Sequence, residues 1–159
     1  MGIPRRAFLL CTALGLACAA AGVGADSGSS APPQSPGPAD VLFPCVPDDT
    51  TLCLNHGRFR TKANFITNDG LAGQAHGVAL TDDTGYFWFF SSSNVEIVVK
   101  VLNGCGVNQH YWVFAGGLTN VSVIMRVADT TNEGFTQYNN RPNTPYQPVQ
   151  DTTAFPYCP

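Results

Sequence analysis

Three histidines, His56, His76 and His110, are the side chains best suited to metal ligation or proton transfer, and their spacing serves neither. No His-x-His or His-x-x-x-His pair puts two rings on one element, so turn and strand-face positions are the simpler reading. Ser91, Ser92 and Ser93 lack the Gly-x-Ser-x-Gly elbow that presents a nucleophilic serine, and a polar run of this kind serves a turn. Glu96 and Lys100 stand two pleats apart on one strand face, where a cross-strand partner for each is the better expectation. Carboxylates gather in turns at Asp48-Asp49, at Asp82-Asp83 and at Asp129 with Glu133, yet none has the alternating ligand spacing of a calcium loop. Charged residues make up 12% of the chain, and no hydrolase or transferase constellation assembles from them. We therefore expect no enzyme, no cofactor and no metal.

The cysteines offer different chemistry. Cys11 and Cys18 fall in the N-terminal apolar run, which leaves Cys45, Cys53, Cys105 and Cys158, an even set that reads as disulfides in an exported chain. Close paired spacing of the zinc type is absent. Four cysteines permit three connectivities. Cys45 with Cys53 and Cys105 with Cys158 is favoured, because the first pair staples an N-terminal loop and the second pins a proline-rich tail. On the chain-entropy model such loops stabilise by roughly 2.6 and 4 kcal/mol.

Aromatic side chains are the remaining candidates for binding. A flat ring left open on a β-sandwich stacks on the apolar face of a sugar while neighbouring amides take its hydroxyls. Trp112 with Asn108 and Gln109, or Trp88 with Tyr86, fits that pattern. For the unbroken run of residues 86–90, burial in the core is the stronger expectation, since five successive aromatics place rings on both faces of a strand.

The elements that must position these residues begin after an export signal. Arg5 and Arg6 precede an apolar run over residues 7–21 that is short and rich in Ala and Gly, the form of a signal peptide rather than a membrane span. Arg5-Arg6-Ala7-Phe8-Leu9-Leu10 resembles a twin-arginine signal, although Pro4 replaces the usual Ser or Thr; an ordinary secretory signal fits as well. Cleavage after Ala25 is expected, giving a signal over residues 1–25. The competing reading is a lipid anchor on Cys18, preceded by the small residue Ala17 that a lipobox needs. Residues 26–40 are Ser, Gly, Pro and Ala with almost nothing to bury, a disordered linker by composition. Residues 41–159 then form a single domain.

Loss of the signal leaves six basic against eleven acidic side chains, a net charge near −5, which argues against nucleic acid. Arg58, Arg60 and Lys62 alternate and read as a solvated strand face. Residues 58–65 alternate cleanly, residues 74–80 more weakly, and residues 85–102 read as an aromatic hairpin closed by Asn103-Gly104. Strands follow over residues 109–115, 120–129 and 135–138, and prolines downstream predict a tail wrapped over the surface. About seven strands with no helical period predict an all-β antiparallel β-sandwich, with a small β-barrel as the alternative.

Leu52-Cys53-Leu54-Asn55-x-Gly57-Arg58-Phe59, Thr84-Gly85-Tyr86-Phe87-Trp88-Phe89-Phe90, Asn94-Val95-Glu96, Val99-Lys100-Val101-Leu102-Asn103-Gly104-Cys105, Tyr111-Trp112-Val113-Phe114 and Leu118-Thr119-Asn120-Val121 together resemble an uncharacterised domain that recurs in exported bacterial proteins. The resemblance implies export from a bacterium and carries no active site with it. The expectation is an exported or surface-tethered, non-enzymatic module for binding or adhesion, with a polysaccharide or an envelope protein as partner. An accessory structural domain is the second reading and a secreted enzyme the third.

Overall fold

The computed structural model describes residues 44–159. The expected signal over residues 1–25, the linker over 26–40 and the anchor at Cys18 lie outside the described residues. Among the described residues ten strands build two five-stranded antiparallel sheets that pack face to face without closing into a barrel. The sandwich expectation is correct. The strand count is larger than expected, for reasons given below.

The first sheet runs β1 (Leu52–Leu54), β2 (Phe59–Ile66), β8 (Ser122–Asp129), β9 (Gly134–Asn140), with β3 (Ala72–Gln74) beside β1 on the same flank of β2. Strict alternation in β2 sends Phe59, Thr61, Ala63 and Phe65 inward, and β8 answers with Val123, Met125 and Val127. The second sheet runs β10 (Val149–Phe155), β7 (Tyr111–Gly117), β6 (Ile97–Asn103), β5 (Thr84–Trp88), β4 (His76–Ala79). Its inner face is Phe87, Ile97, Val99, Val101, Tyr111, Val113 and Phe155, all buried. Phe59 meets both Tyr111 and Phe155 at ring distances of 4.9 and 5.0 Å, so one aromatic from the first sheet locks two from the second.

Three departures from expectation have local causes. Residues 74–80 do not form one strand: Ala75 is buried between the layers, donates its N–H to the Ala63 carbonyl, and passes the chain from β3 in one sheet to β4 in the other. The tail is not mere wrapping, because the proline-free window between Pro148 and Pro156 pairs with β7 as the edge strand β10. After Asn103-Gly104 the chain makes a single helical turn, α1 (Cys105–Asn108), before entering β7, with Gln109 at φ 62° closing it. Disulfides join Cys45 to Cys53 and Cys105 to Cys158. The second ties α1 to the end of the tail.

Candidate functional site

Period-two alternation leaves the residues between the core positions of the second sheet on its outer side. Strand register arranges them in rows: His76 opposite Trp88; Val78, Tyr86, Val98 and Gly116; Thr84, Lys100, Phe114 and Gln150; Leu102 opposite Trp112. Each row carries an aromatic ring that is half-buried rather than enclosed, and Val98 near the middle is 40% exposed. Successive rows lie about 7 Å apart along the strands. The result is an aromatic face crossed by polar groups.

This arrangement corrects the expectation that the run over residues 86–90 is core on both sides. Phe87 and Phe89 are buried, whereas Tyr86 and Trp88 face outward and Phe90 is 52% exposed. The second sheet is covered by the first on one side only, so half of the run has nothing to pack beneath. Trp88 gains cover from His76, whose ring stacks on it at 3.9 Å.

Trp112, Asn108 and Gln109 come together as the sequence spacing implies. The Trp112 indole lies across Gly104, where a Cβ would come within 2.3 Å of the ring. Its Nε1–H donates to Asn108 Oδ1 at 2.7 Å, while Asn108 Nδ2 donates to the Thr152 carbonyl and Gln109 Nε2 to the Cys105 carbonyl. Both amides are thus engaged in holding α1 under the indole, which makes them supports of the ring more than contacts for a ligand. Phe114 stands edge-on to Trp112 at 6.2 Å. Tyr86 shares the face but sits across β6 and two pleats away, about 14 Å along the strand direction.

Phe114, Lys100 and Asp83 also contribute to this face, and none of the three was among the binding candidates. Phe114 was readable, since it follows Trp112 by two in the same strand. Lys100 takes the cross-strand partner expected of it, but that this partner is Asp83 depends on register: Lys100 Nζ reaches Asp83 Oδ2 at 2.9 Å where the β4–β5 turn meets β6. The hydroxyls of Thr81 and Thr84, each 2.7 Å from Asp83 Oδ1, and then Lys100 pull the Asp83 carboxyl down to about 2.

The outer side of the first sheet has the opposite character. Arg60, Lys62 and Arg126 share it with Asn64, Gln74 and Gln137, and Arg126 Nε donates to Gln137 Oε1 at 2.7 Å. Arg58 does not join this row, contrary to expectation. Its guanidinium turns to the fully buried Asp129 at 2.7 Å, donates to the Tyr157 carbonyl and lies 4.4 Å from the Tyr111 ring centroid.

The residues weighed for catalysis or metal binding are dispersed. His56 sits in a turn 3.2 Å from Asp82, His76 on the aromatic face, and His110 against the Asn108 carbonyl. Ser91 and Ser93 contact each other in the β5–β6 connection. Among the described residues no three His, Cys, Asp or Glu side chains converge as metal ligands, and no helix is long and apolar enough to cross a membrane.

Fold and surface together define a disulfide-bearing antiparallel β-sandwich with one aromatic and one polar outer face. Comparison with family models, with curated proteins and with solved structures gives no match for this chain.

Proposed function

We propose that the chain is an exported or surface-tethered, non-enzymatic binding module that takes a polysaccharide on the outer face of its second sheet. The observation that carries this reading is the row-by-row placement of Trp88, Tyr86, Phe114 and Trp112 on one sheet face, half open, beside Thr84, Lys100 and Gln150. Sugar rings match such a face because their C–H sides stack on aromatic planes while their hydroxyls reach polar neighbours. The two disulfides are of the kind that persists in oxidising compartments, in keeping with export.

The second reading, an accessory domain packed on an envelope protein through the same face, is disfavoured by the Lys100–Asp83 pair. A protein partner covering this face would have to strip water from that half-exposed ion pair. A polysaccharide replaces the lost water with hydroxyls.

Retention on cellulose, chitin and peptidoglycan tests the proposal. Wild type is expected to be retained by at least one, and Trp112→Ala with Phe114→Ala to lose retention while keeping its melting transition. Retention unchanged in that double variant would refute the proposal. The mass of the mature chain separates cleavage after Ala25 from lipidation of Cys18.

A further inference from the structure

At one end of the sandwich three connections meet: residues 89–96 between β5 and β6, 118–121 between β7 and β8, and 141–148 between β9 and β10. They border an open depression of about 610 Å³. Glu96 lines it and is only 5% exposed. Its N–H donates to the Phe87 carbonyl at 2.9 Å and its carbonyl accepts the Leu118 N–H at 2.8 Å, so the backbone holds the side chain at this depth. The carboxyl accepts a hydrogen bond at Oε1 from the Asn94 amide, and no basic side chain of the described residues lines the depression.

Two rings stand beside it. Tyr146 is seated against Gly117, where a Cβ would lie 2.4 Å from the ring, and its N–H donates to the Thr119 carbonyl at 2.9 Å. Phe90 is held edge-on by Phe65 at 5.2 Å and by Phe89 at 5.9 Å. The depression is therefore built before any ligand arrives.

A carboxylate withdrawn from water is costly unless a positive or donating group comes to it, and aromatic rings favour the same visitor through their π faces. Asn94 already donates to Oε1, which leaves Oε2 as the oxygen better open to a further donor. That suits the compact, monodentate donors of an ammonium better than the two-pronged fork of a guanidinium. We propose that this depression binds a primary ammonium group, which pairs with Glu96 beside Phe90 and Tyr146 and rests its carbon stem on Leu118. The site is separate from the aromatic sheet face, and the proposal stands independently of polysaccharide binding.

Amide chemical shifts of the full chain, followed during titration with butylammonium chloride, 1-butanol and methylguanidinium chloride, test it. Butylammonium is expected to give saturable shifts at Asn94, Glu96 and Leu118, with neither of the others matching its affinity. Glu96→Gln keeps the shape and removes the charge, and should weaken binding by about tenfold or more. Leu118→Lys, at a rim position 82% exposed, should weaken it comparably by placing a competing cation at the mouth, and carries the test if Glu96→Gln does not fold. Nα-acetyl-lysine methyl ester and glucosamine, used as further probes, tell a lysine-like carrier from an amino sugar; binding by either supports the proposal. An affinity unchanged in the variants, equal binding of butanol or methylguanidinium, or no saturable shift with butylammonium would overturn it.

Discussion

The indole of Trp88 and the imidazole of His76 stack face to face, 3.9 Å apart and 10° from parallel, on the outward side of the second sheet. Neither ring is buried, and each covers one face of the other. Trp88 is thus tied to the fold by a cross-strand pair rather than by the core. Replacing it by Ala should cost about 1 kcal/mol, the scale of an exposed aromatic contact. Phe87→Ala, one residue away and fully buried, should cost about 3 to 5 kcal/mol. Urea melts of the two variants decide the matter, and equal losses would return Trp88 to the core.

Why this ordering was hidden in the sequence is a matter of parity. In β2 the alternation of apolar and charged residues names the inward side, and Phe59, Thr61, Ala63 and Phe65 are inward as it says. Between residues 86 and 90 both parities are aromatic, so alternation names no side, and only the position of the opposing sheet does. The Cys45–Cys53 bridge and the grouping of Trp112 with Asn108 were legible because short spacing is a local fact, and once the first pair is set Cys105 and Cys158 are the two cysteines left. The stacking of His76 on Trp88 and the pairing of Lys100 with Asp83 depend on which strand lies beside which, and no local pattern carries that. Likewise β10 was obscured by flanking prolines, whose effect stops at the window they enclose.

Trp112 depends on the absence of a side chain at Gly104. A Cβ there would overlap the indole at 2.3 Å, so Gly104→Ala should push the ring off α1 and break its bond to Asn108. The expected signature is a red shift of tryptophan emission together with lost polysaccharide retention. An unchanged spectrum would mean that the ring is not held in this way.

The two disulfides should differ in weight. Cys45–Cys53 spans 8 residues of separation and Cys105–Cys158 spans 53, and loop-closure entropy grows with that span. Paired Cys→Ser replacement should cost roughly 2.6 kcal/mol for the first and about 4 kcal/mol for the second. Loss of the second should also loosen α1 beneath Trp112. Equal denaturant midpoints for the two Cys→Ser variants would contradict the entropic account.

Arg58 and Asp129 give the fold a dependence on acid. Burial by itself would raise the Asp129 carboxyl, but the Arg58 guanidinium, the Asn132 amide and the Thr131 N–H outweigh it and hold the group below its ordinary value of 3.8. The unfolded chain then takes up the proton at higher pH than the folded one. Stability from this pair is accordingly complete above about 4 and is lost as pH falls below 3.8 toward the depressed folded value. Asp83, held down to about 2, adds a loss of the same sign between 3.8 and that value. Asp129→Asn removes the charge that answers a guanidinium only 15% exposed, and should cost about 3 kcal/mol at neutral pH. Below about 4 the variant should converge on wild type, because the wild-type contribution is the part that acid removes. Denaturant midpoints for both proteins across that window are the measurement, and a gap that stays constant as the acid rises would show that the pair does not carry the charge assigned to it.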